Sequence, residues 1–330
     1  MAVAELVPEQ TLVRKERSLW EEAMIRLVRN KVAVISGIFI IVLFLAAIFA
    51  NYIAPFDYAT QDLLNNSAVP EWMLFILPEG AENYATISDK FPLGADHLGR
   101  DLFSRTLYGA RVSLAFALVA ATVSLVIGTI YGMVSGYVGG RIDNILMRIV
   151  DFLYAFPFLV VVILLQTYFK ALERRGGASF IFELNDSMGG MFFLFIAIGL
   201  IDWVGMARIA RGQVLQYKRM EFVEAAHAVG AGDSRIIMKH LLPNILGPLI
   251  VAESLNIPTY IFLEAFLSFI GLGVNPPTPS WGIMISEAVQ GLRSHPNQVL
   301  VPALALCLTT LAFNFLGDGL RDALDPRLKQ

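Results

Sequence analysis

The sequence predicts an all-α membrane protein with six transmembrane helices and both the amino and carboxyl termini in the cytoplasm. Three observations carry this reading. Of 330 residues, 56% are hydrophobic and 16% charged, against about 45–50% and about 25% in soluble globular domains. Six apolar runs, at 32–53, 112–135, 149–169, 191–210, 245–270 and 299–316, approach or exceed the roughly 20 residues a helix needs to cross a bilayer core. With the amino terminus inside, the inner segments hold about twice as many Lys and Arg residues as the outer ones, which is the cytoplasmic bias expected of membrane chains. The net charge of −3 gives no reason to expect a nucleic-acid partner.

Taken in order, residues 1–31 form a cytoplasmic amino-terminal segment too polar for a secretory signal. The run at 32–53 is longer than the about 7–15 residues of a signal core and reads as an uncleaved first span. Residues 54–111 form a long external segment. Within it, "VPEWMLFILPEG" has an apolar core too short to span and suits an interfacial helix. "LGADHLGRD" brings together Asp96, His97, Arg100 and Asp101. One His with two flexible carboxylates makes a poor metal site, so no metal is expected, and Gly94 and Gly99 supply turns in a structured element facing partner subunits. Residues 112–317 hold five spans, with a second long external loop, "ALERRGGASFIFELNDSMGG", and a proline-stiffened one, "NPPTPSWG". Residues 318–330 are a cytoplasmic tail. The single cysteine, Cys307, lies in an apolar run and reads as a packing residue.

The cytoplasmic loop 211–244 contains "MEFVEAAHAVGAGDSRIIMKHLLPN", far more polar than the runs around it. Phe222, Ala226 and Val229 fall at i, i+4 and i+7, on one face of a predicted helix, with Glu221 and Glu224 elsewhere. Gly230 suits a left-handed helix end. Asp233 suits the cap of a second helix over 234–242, which Pro243 ends. A helix, glycine elbow, helix unit results, its small Ala225 and Ala226 open to close approach. Two readings stand for it: docking to another protein, or lying on the inner bilayer surface.

The pattern formed by Glu224, Ala225, Ala226, Gly230, His240, Leu242 and Pro243 resembles the EAA signature of permease subunits of ATP-binding-cassette importers. "FPLGADHLGRDLFSRTLYGARVSL", "LMRIVDFLYAFPFLV", "FLEAFLSFIGLGVNPPTPSWGIMISEA" and "LAFNFLGDGLRDALDPR" are similar to the C-type permease of dipeptide, oligopeptide and nickel importers. The resemblance implies a type I importer fold with a MetI-like core. It implies two ATPase subunits, a homologous B-type permease, an external solute-binding protein and peptide cargo at a bacterial inner membrane, with nickel chelate or glutathione as alternative cargo. It also implies that Glu224, Ala225, Ala226, Gly230, Leu242 and Pro243 couple the chain to an ATPase. The chain would be a conduit with no cofactor of its own, ATP and Mg²⁺ being bound by the partners. No Lys follows a Gly anywhere in it, so a phosphate-cradling Walker A loop is absent from the sequence.

Ionisable groups inside spans are costly and point to function. Asp202, Glu253 and Glu264 qualify, and Asn256 shares a face with Glu253. Lining of a solute path and polar contact between helices both account for them. An ion-coupled secondary transporter is the more remote alternative; it would call for internal repeats or interrupted spans, neither evident in the sequence.

Overall fold

Once inside lipid, an apolar run must satisfy every backbone group within itself, and helices are the outcome. The structure, a computed structural model, describes residues 19–80, 84–175 and 180–324. The helices are α1 (Leu19–Arg29), α2 (Lys31–Ile48), α3 (Leu102–Val138), α4 (Gly140–Ala155) and α5 (Phe158–Arg174). They continue with α6 (Phe180–Ser187), α7 (Met191–Gly199), α8 (Trp203–Tyr217) and α9 (Glu221–Ala228). Last come α10 (Asp233–Phe269), α11 (Trp281–Ala288) and α12 (Asn297–Leu324). Five segments are long and apolar enough to cross a membrane, α7 and α8 counting as one, and the bent pair α4–α5 makes a sixth.

Contacts between segment ends sort the molecule into two sides. At one end, Gly319 of α12 packs on Ala33 and Leu27, Leu324 reaches Gly247, and Tyr137 meets Asp233. At the other, Gln298 Nε2 donates to the Ala95 carbonyl at 3.2 Å and Trp281 Nε1 to that of Thr106 at 3.1 Å. Arg111 closes the carboxyl end of α2 there, donating to the carbonyls of Ala47 and Ile48 at 3.0 Å each. The first and last described helices therefore meet at the end that carries α9. This matches the sidedness read from the basic residues.

Several boundaries differ from the sequence reading, each for a local reason. Helix α3 starts at Leu102, ten residues before the predicted span, because the Asp101 carboxylate accepts from Ser104 N at 2.8 Å and caps it. The predicted span 149–169 is two helices bent by 78°. Pro157 lacks an N–H and holds Phe156 extended at φ −84°, ψ 138°. The fourth span is interrupted between Gly199 and Trp203. The spans are thus interrupted twice where the sequence showed no interruption. Residues Glu71–Ile76 of the predicted interfacial helix form a 3₁₀ turn with Trp72 and Phe75 exposed. Part of the loop between the third and fourth spans is helical, as α6. Cys307 is exposed on α12, not packed inside.

Helices α3 and α8 pack closely along their length. Gly128, Gly132 and Gly136 recur every four residues on α3 and face Met206, Ala210 and Val214. A Cβ at Gly132 would sit 2.7 Å from Ala210 Cβ, and one at Gly136 3.0 Å from the Arg211 carbonyl. Lipid offers no hydrophobic drive between helices, so contact of this closeness is what holds them. Replacement of Gly132 by Val is expected to cost about 1–3 kcal/mol through overpacking and to lower the thermal midpoint of the purified protein. Gly212→Ala is the control, since an added methyl there meets nothing within 4 Å.

Candidate functional site

The inner end is built around α9. Val223 and Ala226 turn inward and join Met133, Tyr137, Val214, Ile236 and Leu241 in one apolar cluster. The predicted face of Phe222, Ala226 and Val229 is therefore not the one that packs. Val229 is 84% exposed and Phe222 38%, while Glu224 and Ala225 also face outward. The sequence pattern failed here because a helix that packs on its own chain with one face and stays open on another has two apolar faces.

Gly230 makes the elbow as expected, at φ +81°. The Ala231 N–H returns to the Ala226 carbonyl at 3.0 Å, closing the helix end. Beyond it the second helix does not stop at Pro243. It runs on into the span as α10, because a π-helical stretch, Ile236–Leu241, shifts the hydrogen bonds by one residue ahead of the proline. Leu242 is half-buried and Pro243 exposed in the first turn that follows. Asp233 does not cap this helix; its carboxylate accepts from the Tyr137 hydroxyl at 2.6 Å. Lys218, just before α9, donates its Nζ to the carbonyl of the same Tyr137. Asp143 of α4 accepts from Ser135 at 2.5 Å and from two Arg211 nitrogens at 2.6 Å each.

Within the spans lies a cavity of about 380 Å³. It opens where three irregular segments meet: the bend at Tyr154–Phe158, the break beside Asp202, and the stretch of α10 around Pro258. Asp202, Asn256 and Thr259 supply its polar wall. The buried Oδ2 of Asp202 has no hydrogen-bond partner among the described residues. Arg208 turns away from it to Asp151, at 2.7 Å. Glu253 stands one bond behind the wall, accepting from the lining Tyr260 at 2.8 Å and from Ser124 at 3.2 Å. Glu264 is placed elsewhere, fully buried between Ser113 at 2.7 Å and Ser268 at 2.6 Å. Of the four residues singled out in the sequence, the structure brings Asp202, Asn256 and Glu253 together and separates Glu264. Tyr260 and Ser124, which join them, carry no sequence signal of their own.

At the outer end four charged groups meet. Arg100 donates to Asp96 at 2.6 Å and to Glu287 of α11 at 2.7 Å, and Arg105 reaches the same Glu287 at 3.1 Å. Asp96, His97 and Glu287 bring one possible metal-ligand atom each within 4.8 Å of one another. The arginines already engage both carboxylates, which makes this an ion-pair node tying the external segment to α11. Beside it, burial pushes the Asp101 carboxyl above the ordinary carboxylate range.

Such a bundle, with a helical elbow at one end and a cavity between interrupted spans, has the architecture of a multi-pass membrane protein. In fold, the chain is similar to a chain of the MetNI methionine ABC transporter in its inward-facing conformation, with a TM-score of 0.50. That match has 19% identity and covers 68% of this chain and 98% of the other. The family described as "Binding-protein-dependent transport system inner membrane component" matches residues 124–330, and "N-terminal TM domain of oligopeptide transport permease C" matches residues 18–70. The chain is 41% identical to the oligopeptide transport system permease protein OppC of Bacillus subtilis, over 100% of this chain and 96% of the relative. It is 42% identical to that organism's dipeptide permease DppC, over 96% and 88%. Against the glutathione transport system permease GsiD of Shigella flexneri it is 41% identical, over 95% and 92%. The chain belongs to the family of binding-protein-dependent transport inner membrane components, among its C-type permeases.

Gly230→Val is expected to cost about 1–2 kcal/mol by forcing a branched residue into the left-handed region. Space is not the constraint, since a Cβ there meets nothing within 4 Å. Asn at 230, which tolerates that region better, should lose less, and thermal unfolding of the two variants checks the order. At the outer node, Glu287→Gln leaves Asp96 as the one carboxylate for both Arg100 and Arg105 and should cost about 1–3 kcal/mol, read as a lowered thermal midpoint.

Proposed function

We propose that this chain forms half of the translocation path of an ATP-driven importer of di- and oligopeptides and takes its drive from an ATPase docked on α9. The observation that carries the reading is the two-sided character of α9. One face is sealed into the chain's own core, while Phe222, Ala225 and Val229 stand open at the inner end, with Met238 of α10 also exposed. Apolar groups exposed beside Glu221 and Glu224 suit a protein groove rather than a bilayer surface, where the polar face of a helix is commonly basic. The path runs past Asp202 and Asn256, with Glu253 behind them. Glu264 belongs to helix packing.

Peptide is favoured as cargo because the similarity to an oligopeptide permease runs through the whole chain. Glutathione, carried by a relative of similar identity, is the second choice. The partners are a B-type permease, two ATPase subunits and an external solute-binding protein, assembled at the bacterial inner membrane. The chain itself is not a catalyst; ATP and Mg²⁺ are held by the ATPases.

The test is reconstitution of the complex in proteoliposomes with its binding protein and labelled trialanine. Uptake should require ATP, and a cysteine at Ala225 should cross-link to an ATPase subunit. Glu224→Lys should weaken co-purification of that subunit by about tenfold, as loss of a close charge contact at an interface does. Uptake driven by an ion gradient without ATP would overturn the proposal.

A further inference from the structure

We propose that Tyr137 is a positioning residue through which movement of α9 enters the membrane-spanning body. This deepens the coupling role given above to α9 and rests on it. The covalent chain alone would pass that movement to α8, through residues 218–220, and to α10, through the elbow. Tyr137 adds a third route, and it holds the coupling segment at both ends. Its hydroxyl donates to Asp233, just beyond the elbow, at 2.6 Å. Its carbonyl accepts from Lys218, just before α9, and the same ammonium lies 5.2 Å from the centre of its ring. Between these two grips the ring is buried in the apolar cluster that holds Val223 and Ala226 of α9. One residue thus grips the entrance and the exit of the coupling segment and shares an apolar cluster with its back.

What lies behind Tyr137 makes the grip consequential. It belongs to the last turn of α3, one residue past Gly136, where α3 is pressed on α8. A push on α9 reaching Tyr137 therefore moves α3 and α8 as one body rather than flexing the linker alone. Directly after it, Gly139 and Gly140 are both left-handed, at φ +72° and +59°, and a Cβ at either would meet nothing within 4 Å. Their use is backbone freedom, not room, which makes them the joint where α4 departs. Helix α4 is tied back to the same body by Asp143, and its far end, at Leu153 and Tyr154, lines the cavity. A continuous set of contacts runs from α9 through Tyr137 to the cavity wall.

The experiment uses the complex in proteoliposomes and reads trialanine uptake and ATP hydrolysis side by side. Tyr137→Phe removes only the bond to Asp233. The expected result is a fall in peptide carried per ATP of about 2- to 30-fold, the range for loss of one link in a coupled network. Hydrolysis stimulated by the loaded binding protein should persist. Asp233→Ala, which leaves the Tyr137 hydroxyl no acceptor there, should lower the ratio too, and the double variant should lower it no further than the worse single one, since both cut the same contact. Lys218→Met, which spares the ring, should lower it independently. An unchanged ratio in Tyr137→Phe, or parallel loss of uptake and hydrolysis, would overturn the inference, as would simple additivity with Asp233→Ala. If the wild-type complex failed to link Ala225 to an ATPase, the coupling role itself would fall. With that link intact and an unchanged ratio in Tyr137→Phe, only the role of Tyr137 falls.

Discussion

The glycine contact between α3 and α8 is the constraint on which the rest of the molecule depends. In water, two apolar helices associate because both shed solvent; in a bilayer the surrounding chains are as apolar as leucine, and association comes from contact at short range. Gly128, Gly132 and Gly136 bring the α3 backbone against Met206, Ala210 and Val214, with no side chain between. Other elements are referred to that pair. Helix α4 is held by Asp143 to both members, through Ser135 and Arg211. Helix α10 meets α3 through Glu253 and Ser124, and again through Glu264 and Ser113. The apolar back of α9 closes over the inner end of the same seam.

The three acids in the spans show how partnership separates packing from passage. A carboxyl group in a low-dielectric interior is costly unless its oxygens are hydrogen-bonded. Glu264 has hydroxyl donors on both oxygens and is wholly buried, so its cost is met inside the bundle and nothing is left to offer a solute. Glu253 is likewise bonded on both oxygens, although one donor, Tyr260, forms part of the cavity wall. Asp202 alone of the three keeps a buried oxygen without a partner, and it does so at the edge of the open space. Tyr260 lies within reach of the same carboxylate, so the oxygen left over is open to water or a solute in the cavity. This is the physical ground for taking Asp202 and Asn256, rather than Glu264, as the groups open to a solute.

What was legible in the sequence was what depends on composition and on single backbone requirements. Apolar runs long enough to span, the sidedness of the basic residues and the left-handed Gly230 are of this kind. What was hidden depends on continuity and on orientation. Hydropathy averages over 149–169 and 191–210 without registering that Pro157 bends the first or that the second breaks beside Asp202, since both defects lie inside apolar stretches. The burying face of α9 was misjudged because the face it leaves exposed is as apolar as the one that packs. The outer node was split between "LGADHLGRD" and Glu287, nearly two hundred residues apart in sequence but 2.7 Å apart in space. The stripe at Gly128, Gly132 and Gly136 was readable as a small-residue repeat, but its partner surface on α8 has no mark in sequence.

Continuity also explains why α10 is built as it is. A helix of 37 residues is about 55 Å long at about 1.5 Å per residue, well beyond the roughly 30 Å of a bilayer core. It therefore begins outside the membrane, at Asp233 next to the elbow, passes Asn256 and Thr259 at the cavity, and ends near the outer node. Had Pro243 ended a separate short helix, a flexible joint would lie between the elbow and the span, and displacement of α9 would be absorbed there. The π-helical stretch at Ile236–Leu241 keeps the rod unbroken across the proline. The interior Pro248 and Pro258 have the opposite effect, each removing a backbone hydrogen bond, and Pro258 does so between the cavity-lining Asn256 and Thr259. A helix kept continuous at the elbow and weakened beside the cavity yields most readily, when loaded from its inner end, beside the residues that line the cavity.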